Sequence, residues 1–289
     1  MEQVKKVLIV GSKGMAGHAI YFYLKENTTY KVVDVARDSS FFTPKHEADI
    51  SNVQVLEEIL LKEKPDFVIN CVGLLNQEAE SNPDKAILLN SYLPHFIARK
   101  GALIGYKFIH ISTDCVFSGS TGAYVETSFK DGKGYYAQSK ALGEVTYGNN
   151  ITLRTSIIGP ELKANGIGLF NWFMNQTGEV NGYMQAYWTG VTTLELAKAI
   201  TKLLEQEDIT GLHHLVNSEK INKFDLITLF KKVFNKKDIN ISKYSAYTVD
   251  KSLIRTNHSF QYTVPDYEAM IIQMKEWIQN HPHLYKYKF

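Results

Sequence analysis

Val7-Leu8-Ile9-Val10-Gly11-Ser12-Lys13-Gly14-Met15-Ala16-Gly17 decides how the rest of the chain is read. Four apolar residues make a buried strand, a glycine ends it, and a helix pattern starts at Met15. Glycines so placed let the backbone turn tightly and approach a pyrophosphate, whose charge then meets the N–H groups of a helix N-terminus. The stretch predicts a dinucleotide-binding turn, with Gly11, Lys13, Gly14, Met15 and Gly17 as cofactor-binding candidates. Its spacing is Gly-x-x-Gly-x-x-Gly, with no Gly-Lys-Ser/Thr ending, so a phosphoryl-transfer loop is disfavoured and Lys13 is placed to lie beside a phosphate. A plain glycine-rich turn would read the same in isolation, so the remaining chain has to agree.

Working outward, strand-length apolar runs recur at Val7–Val10, Lys31–Val35, Phe67–Val72, Phe108–Ser112 and Ile151–Thr155. Helical patterns lie between them, at Met15–Glu26, Val53–Glu63, Asp84–Leu103 and Tyr136–Tyr147. Strands alternating with crossover helices predict an α/β, Rossmann-type doubly wound parallel sheet. Its ligand crevice is expected beyond the carboxyl ends of the strands, where Gly11, Gly73 and Thr113 fall. Residues 1–160 are read as the NAD(P)-binding domain and 161–289 as mainly a smaller C-terminal substrate-binding lobe. The amphipathic stretch Val191–Gln206 is expected to pack back on the first domain. A helix opened by Ile221–Asp225 and another over Pro265–Asn280, with Met270, Ile271, Met274 and Trp277 at core spacing, complete the reading.

The second strand should end in the group that reads the cofactor ribose: a carboxylate for a 2′-hydroxyl, an arginine for a 2′-phosphate. The candidates are Asp34 and Arg37, and a buried Val32, Val33 and Val35 would put Arg37 at the tip, favouring NADPH with NADH as the alternative. Asp49, beside Ile50, is a candidate acceptor for an adenine amino group or else part of a helix cap. Cys71, Val72 and Gly73 end the next strand on the cofactor side. Tyr136 and Lys140 stand four apart, so on a helix they share one face, where an ammonium beside the phenol would favour its ionised form. Tyr135 lacks that partner, because residue 139 is serine.

Ser112-Thr113-Asp114-Cys115-Val116-Phe117-Ser118-Gly119, together with the glycine turn, Tyr136-x-x-x-Lys140, Leu153–Gly159 and Gly190–Thr193, makes the chain resemble the extended short-chain dehydrogenase/reductases. The resemblance spans nearly the whole chain and is closest to the dTDP-4-dehydrorhamnose reductases. It implies a catalytic Thr113, Tyr136 and Lys140, with Tyr136 donating a proton to a reduced carbonyl oxygen, Thr113 hydrogen-bonding that oxygen, and Lys140 holding the nicotinamide ribose. It further implies reduction of a nucleotide-linked 4-keto-6-deoxy sugar in surface polysaccharide precursor synthesis. Sugar-nucleotide 4,6-dehydratases of the superfamily carry Asp-Glu after the catalytic hydroxyl, whereas Asp114 is followed by Cys115. A C4 epimerase with retained NAD and a non-catalytic NADP-binding regulatory subunit remain as alternatives.

Bulk properties narrow the class without choosing within it. With 289 residues, 44% hydrophobic and 21% charged, the chain can bury a sizeable core, and a net charge of +2 makes no case for a nucleic-acid partner. The N-terminus runs directly into a strand too short for a signal peptide or a membrane span, so a cytoplasmic protein without a membrane partner is expected. A homodimer stays open. Cys71 and Cys115 read as small buried residues, and no His or Cys spacing suits a metal; His213 and His214 would point opposite ways on a strand. Trp172, Tyr183, Tyr187 and Trp188 are candidates to stack on a base, against a core or interface role. Lys251 and Arg255 are candidates for a substrate diphosphate, against a solvated face.

Overall fold

In the computed structural model, which describes residues 4–288, twelve strands and ten α-helices build a seven-stranded sheet, a three-stranded sheet and a two-stranded pair. The strands are β1 (Lys6–Val10), β2 (Lys31–Ala36), β3 (His46–Glu47), β4 (Phe67–Asn70), β5 (Lys107–Thr113), β6 (Asn150–Thr155), β7 (Ile157–Ile158), β8 (Gly178–Trp188), β9 (Val191–Thr192), β10 (Gly211–His214), β11 (Ile221–Asn222) and β12 (Ile239–Asp250). The helices are α1 (Met15–Asn27), α2 (Val53–Glu63), α3 (Asn76–Ser81), α4 (Pro83–Ala86), α5 (Leu93–Ile104), α6 (Gly134–Leu142), α7 (Leu169–Met174), α8 (Thr193–Glu205), α9 (Lys223–Val233) and α10 (Tyr267–Asn280).

The main sheet runs β10-β6-β5-β4-β1-β2-β3, with every pairing parallel. Its direction of growth reverses between β1 and β4, the switch point at which doubly wound sheets open a ligand crevice. Alternate residues of β1 serve opposite faces, as a doubly covered sheet requires. Val7 and Ile9 join Ile20 and Leu24 of α1 and Leu196 and Ile200 of α8. Leu8 and Val10 join Leu56 and Leu60 of α2 and Ile97 of α5. Each such aliphatic side chain, fully withdrawn from water, contributes about 1.5–3 kcal/mol.

Two elements differ from the sequence reading. The helix expected over Asp84–Leu103 is divided: α4 passes at Ile87–Tyr92 into a turn of π-helix, and α5 follows. Pro94 supplies the reason. It has no N–H to give the carbonyl four residues earlier, so the α-ladder cannot run through it and the wider turn takes up the mismatch. The helix expected to reach Tyr147 stops at Leu142, where Gly143 N–H bonds back to Ser139 and Lys140 carbonyls.

After β6 the chain does not stay in one lobe. α8 packs on α1, and β10 pairs with β6, so residues 193–214 belong physically to the main sheet. The smaller lobe holds the sheet β11-β8-β12, in which the aromatic-rich Gly178–Trp188 segment runs parallel to β12. Gly182 lets α9 lie close on β8, since a Cβ there would stand 2.6 Å from the Phe224 ring. Beyond α10 the tail returns to α1, where Tyr285 meets His18 Nε2 at 2.9 Å and receives the Trp277 indole N–H at 3.1 Å.

Candidate active site

The three glycines of the first turn do three different things. Gly11 sits at φ +87°, and a Cβ on it would lie 2.6 Å from Val72. Gly17 lies where a Cβ would stand 2.1 Å from the Gly11 carbonyl oxygen, so it sets how closely α1 approaches the turn. Gly14 meets nothing nearer than 3.5 Å and borders the cleft, as N-cap of α1 with no side chain capping it. A helix N-terminus left to its backbone donors is an anion site in form. Lys13 leans the other way, bonding the backbone and carboxylate of Asp38 with its ammonium 5.2 Å from the Phe42 ring centroid.

At the end of β2, Asp34 and Arg37 separate cleanly. Asp34 is buried, accepting from the Ser12 hydroxyl at 2.6 Å and from Lys45 N–H at 2.8 Å, which ties the glycine turn to the loop before β3. Its lone pairs are committed inside the fold. Arg37 is exposed at the strand tip, with Asp49 close enough to feel its charge and be held below the ordinary carboxylate range after the larger effect of its Ser51 hydrogen bonds. Asp49 itself accepts from Ser51 N–H, while the cap of α2 is Asn52, and Ile50 is buried in the core under α2.

The cleft lies at the carboxyl edge of β1, β4 and β5. It brings together Lys13, Gly14, Met15, Cys71, Val72, Gly73, Thr113, Tyr136 and Lys140. Gly11 and Gly17 stand behind its wall, and Arg37, Asp49 and Ile50 lie outside its lining. The loop carrying Glu161, Ile167 and Gly168 continues the wall beside Met15, whose sulfur would lie 3.2 Å from a Cβ on Gly168; Glu161 accepts from Gly168 N–H at 2.7 Å.

Tyr136 and Lys140 reach the cleft on α6, held from both ends. At its start, the Glu80 carboxylate from α3 accepts from Tyr135 N–H and Tyr136 N–H, each at 3.1 Å, satisfying two donors that a helix leaves unpaired. Farther along, Asn90 in the π turn donates to Ser139 Oγ at 3.0 Å while its amide also closes on both polar groups of Leu74. Just past α6, buried Glu144 takes a two-point contact from Arg154, at 2.8 and 2.7 Å, and a bond from Ser112 at 2.7 Å.

The expected pairing of ammonium and phenol takes a different form. Lys140 Nζ donates to the Ile111 carbonyl at 2.8 Å and stands 3.4 Å from His110 Nε2, both on β5. Burial lowers Lys140 to about 8, against the opposing pull of Glu144 and Cys71. Burial likewise raises the Tyr136 phenol, with Cys115 and Asp114 pushing the same way and the Thr113 hydroxyl opposing. Desolvation therefore outweighs the i,i+4 proximity, and the phenol is held neutral rather than ionised. Thr113 donates to Asp114 at 3.1 Å and accepts from Cys115 N–H at 3.1 Å.

Several polar groups here were not singled out by sequence. Asp114 is buried and its carboxyl raised by that burial, opposed by Lys251 and Lys223 from the smaller lobe. Lys223, 4.9 Å from the Trp188 ring centroid, is lowered to about 8 by burial. Asn70 and His110 could have been suspected, because each is a polar residue directly following or flanked by apolar strand residues, Phe67–Ile69 and Phe108–Ile111. Glu80 left no such signal. Cys71 and Cys115 are free thiols, pushed up by burial to about 12 and about 11, so neither is a ready nucleophile.

Other candidates take structural places. Arg255 spends its guanidinium on the carbonyls of Asn257, Phe260 and Tyr262, leaving Lys251 as the cation of that pair near the cleft. Trp188 is buried against Tyr267; Tyr187 carries the Lys220 ammonium over its ring; Tyr183 packs with Tyr244 and Tyr247. Trp172 is 39% exposed on α7. None of the four lines the cleft among the described residues. Among those residues no cluster of three His, Cys, Asp or Glu side chains is placed to hold a metal, and no helix is long and apolar enough to cross a membrane.

Comparison with known proteins places this geometry in context. The profile of the RmlD substrate binding domain matches residues 5–286. The spore coat polysaccharide biosynthesis protein SpsK of Bacillus subtilis is 27% identical over 229 residues, covering 77% of each chain. Methionine adenosyltransferase 2 subunit beta of Xenopus tropicalis is 25% identical over 247 residues, 80% of this chain and 72% of that one. Among solved structures, the dTDP-4-dehydrorhamnose reductase of Bacillus anthracis in complex with NADP superposes with a TM-score of 0.79 at 20% identity, covering 94% of this chain and 99% of that one.

Proposed function

The chain belongs to the RmlD substrate binding domain family, and so to the dTDP-4-dehydrorhamnose reductase-like oxidoreductases of the extended short-chain dehydrogenase/reductase type; from that premise we propose that it reduces the 4-keto group of a nucleotide-linked 6-deoxy sugar with NADPH. The observation that carries the reading is one cleft bordered by Gly14, Thr113, Tyr136 and Lys140. The residues fit a dinucleotide, because Gly14 leaves the N-terminus of α1 without a side-chain cap and with room in front of it. Gly11, Gly14, Met15 and Cys71–Gly73 would hold it, and exposed Arg37 suits a 2′-phosphate better than buried Asp34 suits a hydroxyl. NADPH, when bound, supplies the hydride.

The chain's own residues then handle the oxygen. Tyr136, a phenol protonated at physiological pH and raised further by burial, carries the proton that oxygen needs. An alkoxide is far more basic than a phenolate, so the raised phenol still donates downhill. The Thr113 hydroxyl is positioned to turn from Asp114 and share the same oxygen. Residues 161–289, apart from α8 and β10, supply the lobe that faces the sugar nucleotide. The polysaccharide role named for the SpsK relative supports a place in surface polysaccharide precursor synthesis.

Incubating the protein and NADPH with a panel of nucleotide-linked 4-keto sugars, following loss of NADPH absorbance and identifying the product, tests this reading. Turnover of one member with a reduced C4 supports it. NADPH binding without turnover of any member favours the second reading, a regulatory NADP-binding subunit, which the likeness to methionine adenosyltransferase 2 subunit beta recommends. NAD retained through purification would point to a C4 epimerase.

A further inference from the structure

A buried polar chain runs behind the cleft, through Asn70, His110 and Lys140. Asn70 and His110 are register partners on β4 and β5, and both are wholly withdrawn from solvent. Lys140 is 5% exposed. The chain starts at the cofactor side, where Val72 N–H donates to Asn70 Oδ1 at 3.1 Å. That bond fixes which way the Asn70 amide faces, so its Nδ2 donates to His110 Nδ1, 3.2 Å away.

Donor counting then determines the other end. A neutral imidazole has one acceptor nitrogen, and here Nδ1 is that acceptor, so the ring proton must sit on Nε2. A cationic ring would put N–H against N–H at Asn70 and is further disfavoured by burial. Nε2–H therefore points at Lys140 Nζ, 3.4 Å away. An ammonium has only donors; a neutral amine has a lone pair for Nε2–H and N–H groups to spare for the Ile111 carbonyl at 2.8 Å.

We propose that Asn70 and His110 are positioning residues that favour the neutral amine of Lys140 and hold it against His110 and the Ile111 carbonyl. Proton uptake by Lys140 breaks its contact with His110, and loss of that proton restores it. The other groups acting on Lys140 are Glu144, just past the end of its own helix, and the Cys71 thiol after β4; both favour the cation, and burial opposes them. The device links the loop at Val72, which borders the cleft, to the charge on the lysine. It concerns the protonation of Lys140 alone, and stands whether or not the reaction is the reduction proposed above.

NMR of the unmodified protein carrying 15N-labelled histidine and lysine tests it without any turnover assay. The expected signature is a neutral His110 ring with its proton on Nε2 and none on Nδ1, scalar-correlated to a Lys140 nitrogen with amine character above about 8. A His110 ring protonated on Nδ1, or a Lys140 still in the ammonium form well above that pH, overturns the proposal. A merely structural histidine would keep its tautomer through Asn70 but show neither the scalar correlation to the Lys140 nitrogen nor a shift of its Nε2 as Lys140 titrates, so that coupling distinguishes positioning from packing.

Discussion

The two ends of the cleft are built on opposite principles. The glycine turn works by lacking side chains: Gly11, Gly14 and Gly17 bring backbone to backbone and leave a helix terminus bare. The α6 end works by having many, with exposed Glu80 and buried Asn90, His110 and Arg154 meeting the short helix, or Glu144 just past its end, through polar contacts from four other places in the chain. One end is specified by local conformation and is hard to alter without a clash. The other is specified by distant partners and can be dismantled one contact at a time.

The largest separation between the ends should come from Tyr136→Phe. It removes the proton donor and nothing that α1 contributes, so turnover should fall by about 10²–10⁴-fold while NADPH affinity, read by fluorescence titration, stays close to wild type. Wild-type turnover would break the comparison. Glu144→Ala comes next, acting on stability. It strands the Arg154 guanidinium, 2% exposed, and should cost about 3–5 kcal/mol in denaturant unfolding; a loss below about 1 kcal/mol would mean that the α6 end does not depend on the pair.

At the glycine end the contrast is between neighbours. Gly17→Ala pushes a methyl against a backbone oxygen that cannot give way and should destabilise the fold by about 1–3 kcal/mol, weakening NADPH binding with it. Gly14→Ala meets no protein atom closer than 3.5 Å, so it should leave the melting temperature nearly unchanged and weaken only NADPH binding. Equal effects of the two on melting would contradict these separate roles.

A further effect is shared by both ends and read by acid. His18, whose ring meets the Gly14 carbonyl, and His214, beside Arg154, are each lowered by burial from the ordinary 6.5 to about 4. The unfolded chain then binds protons more readily than the folded one, so their stabilising contribution is full above about 6.5 and is lost as pH falls toward about 4. Melting temperature should drop through that window, and a His18→Gln variant should drop less. A flat wild-type profile would remove both histidines from the account.

The same contrast explains what could be read in advance. The glycine turn, the parallel sheet and the Tyr136–Lys140 spacing were legible because each is a statement about neighbours in sequence. The division of the helix at Pro94 was visible as a proline within a helical pattern, but its consequence depended on where the ladder yields. Lys140 on Ile111, Asp34 on Ser12 and Lys45, and Arg255 on its own loop were not legible. Each is decided by which of several polar partners lies nearest once strands far apart in sequence are adjacent, and by the cost of burying a charge. The return of β10 to the main sheet hides in the same way, since a four-residue strand carries little pattern of its own.

The π turn at Ile87–Tyr92 behaves as a one-residue shift in a reading frame. Upstream of it the helix is phased for α4, downstream for α5, and Asn90 sits at the join. The Asn90 carbonyl lies so near Gly143 that a Cβ there would approach it to 1.8 Å, and its side chain reaches Ser139 and Leu74. Removing a single residue from this segment would restore an ordinary helix and turn Asn90 through about 100°, the angle that one α-helical residue subtends. A change that improves the regularity of one helix would thus cast loose another, so the irregular turn is a constraint on which insertions and deletions the chain can accept.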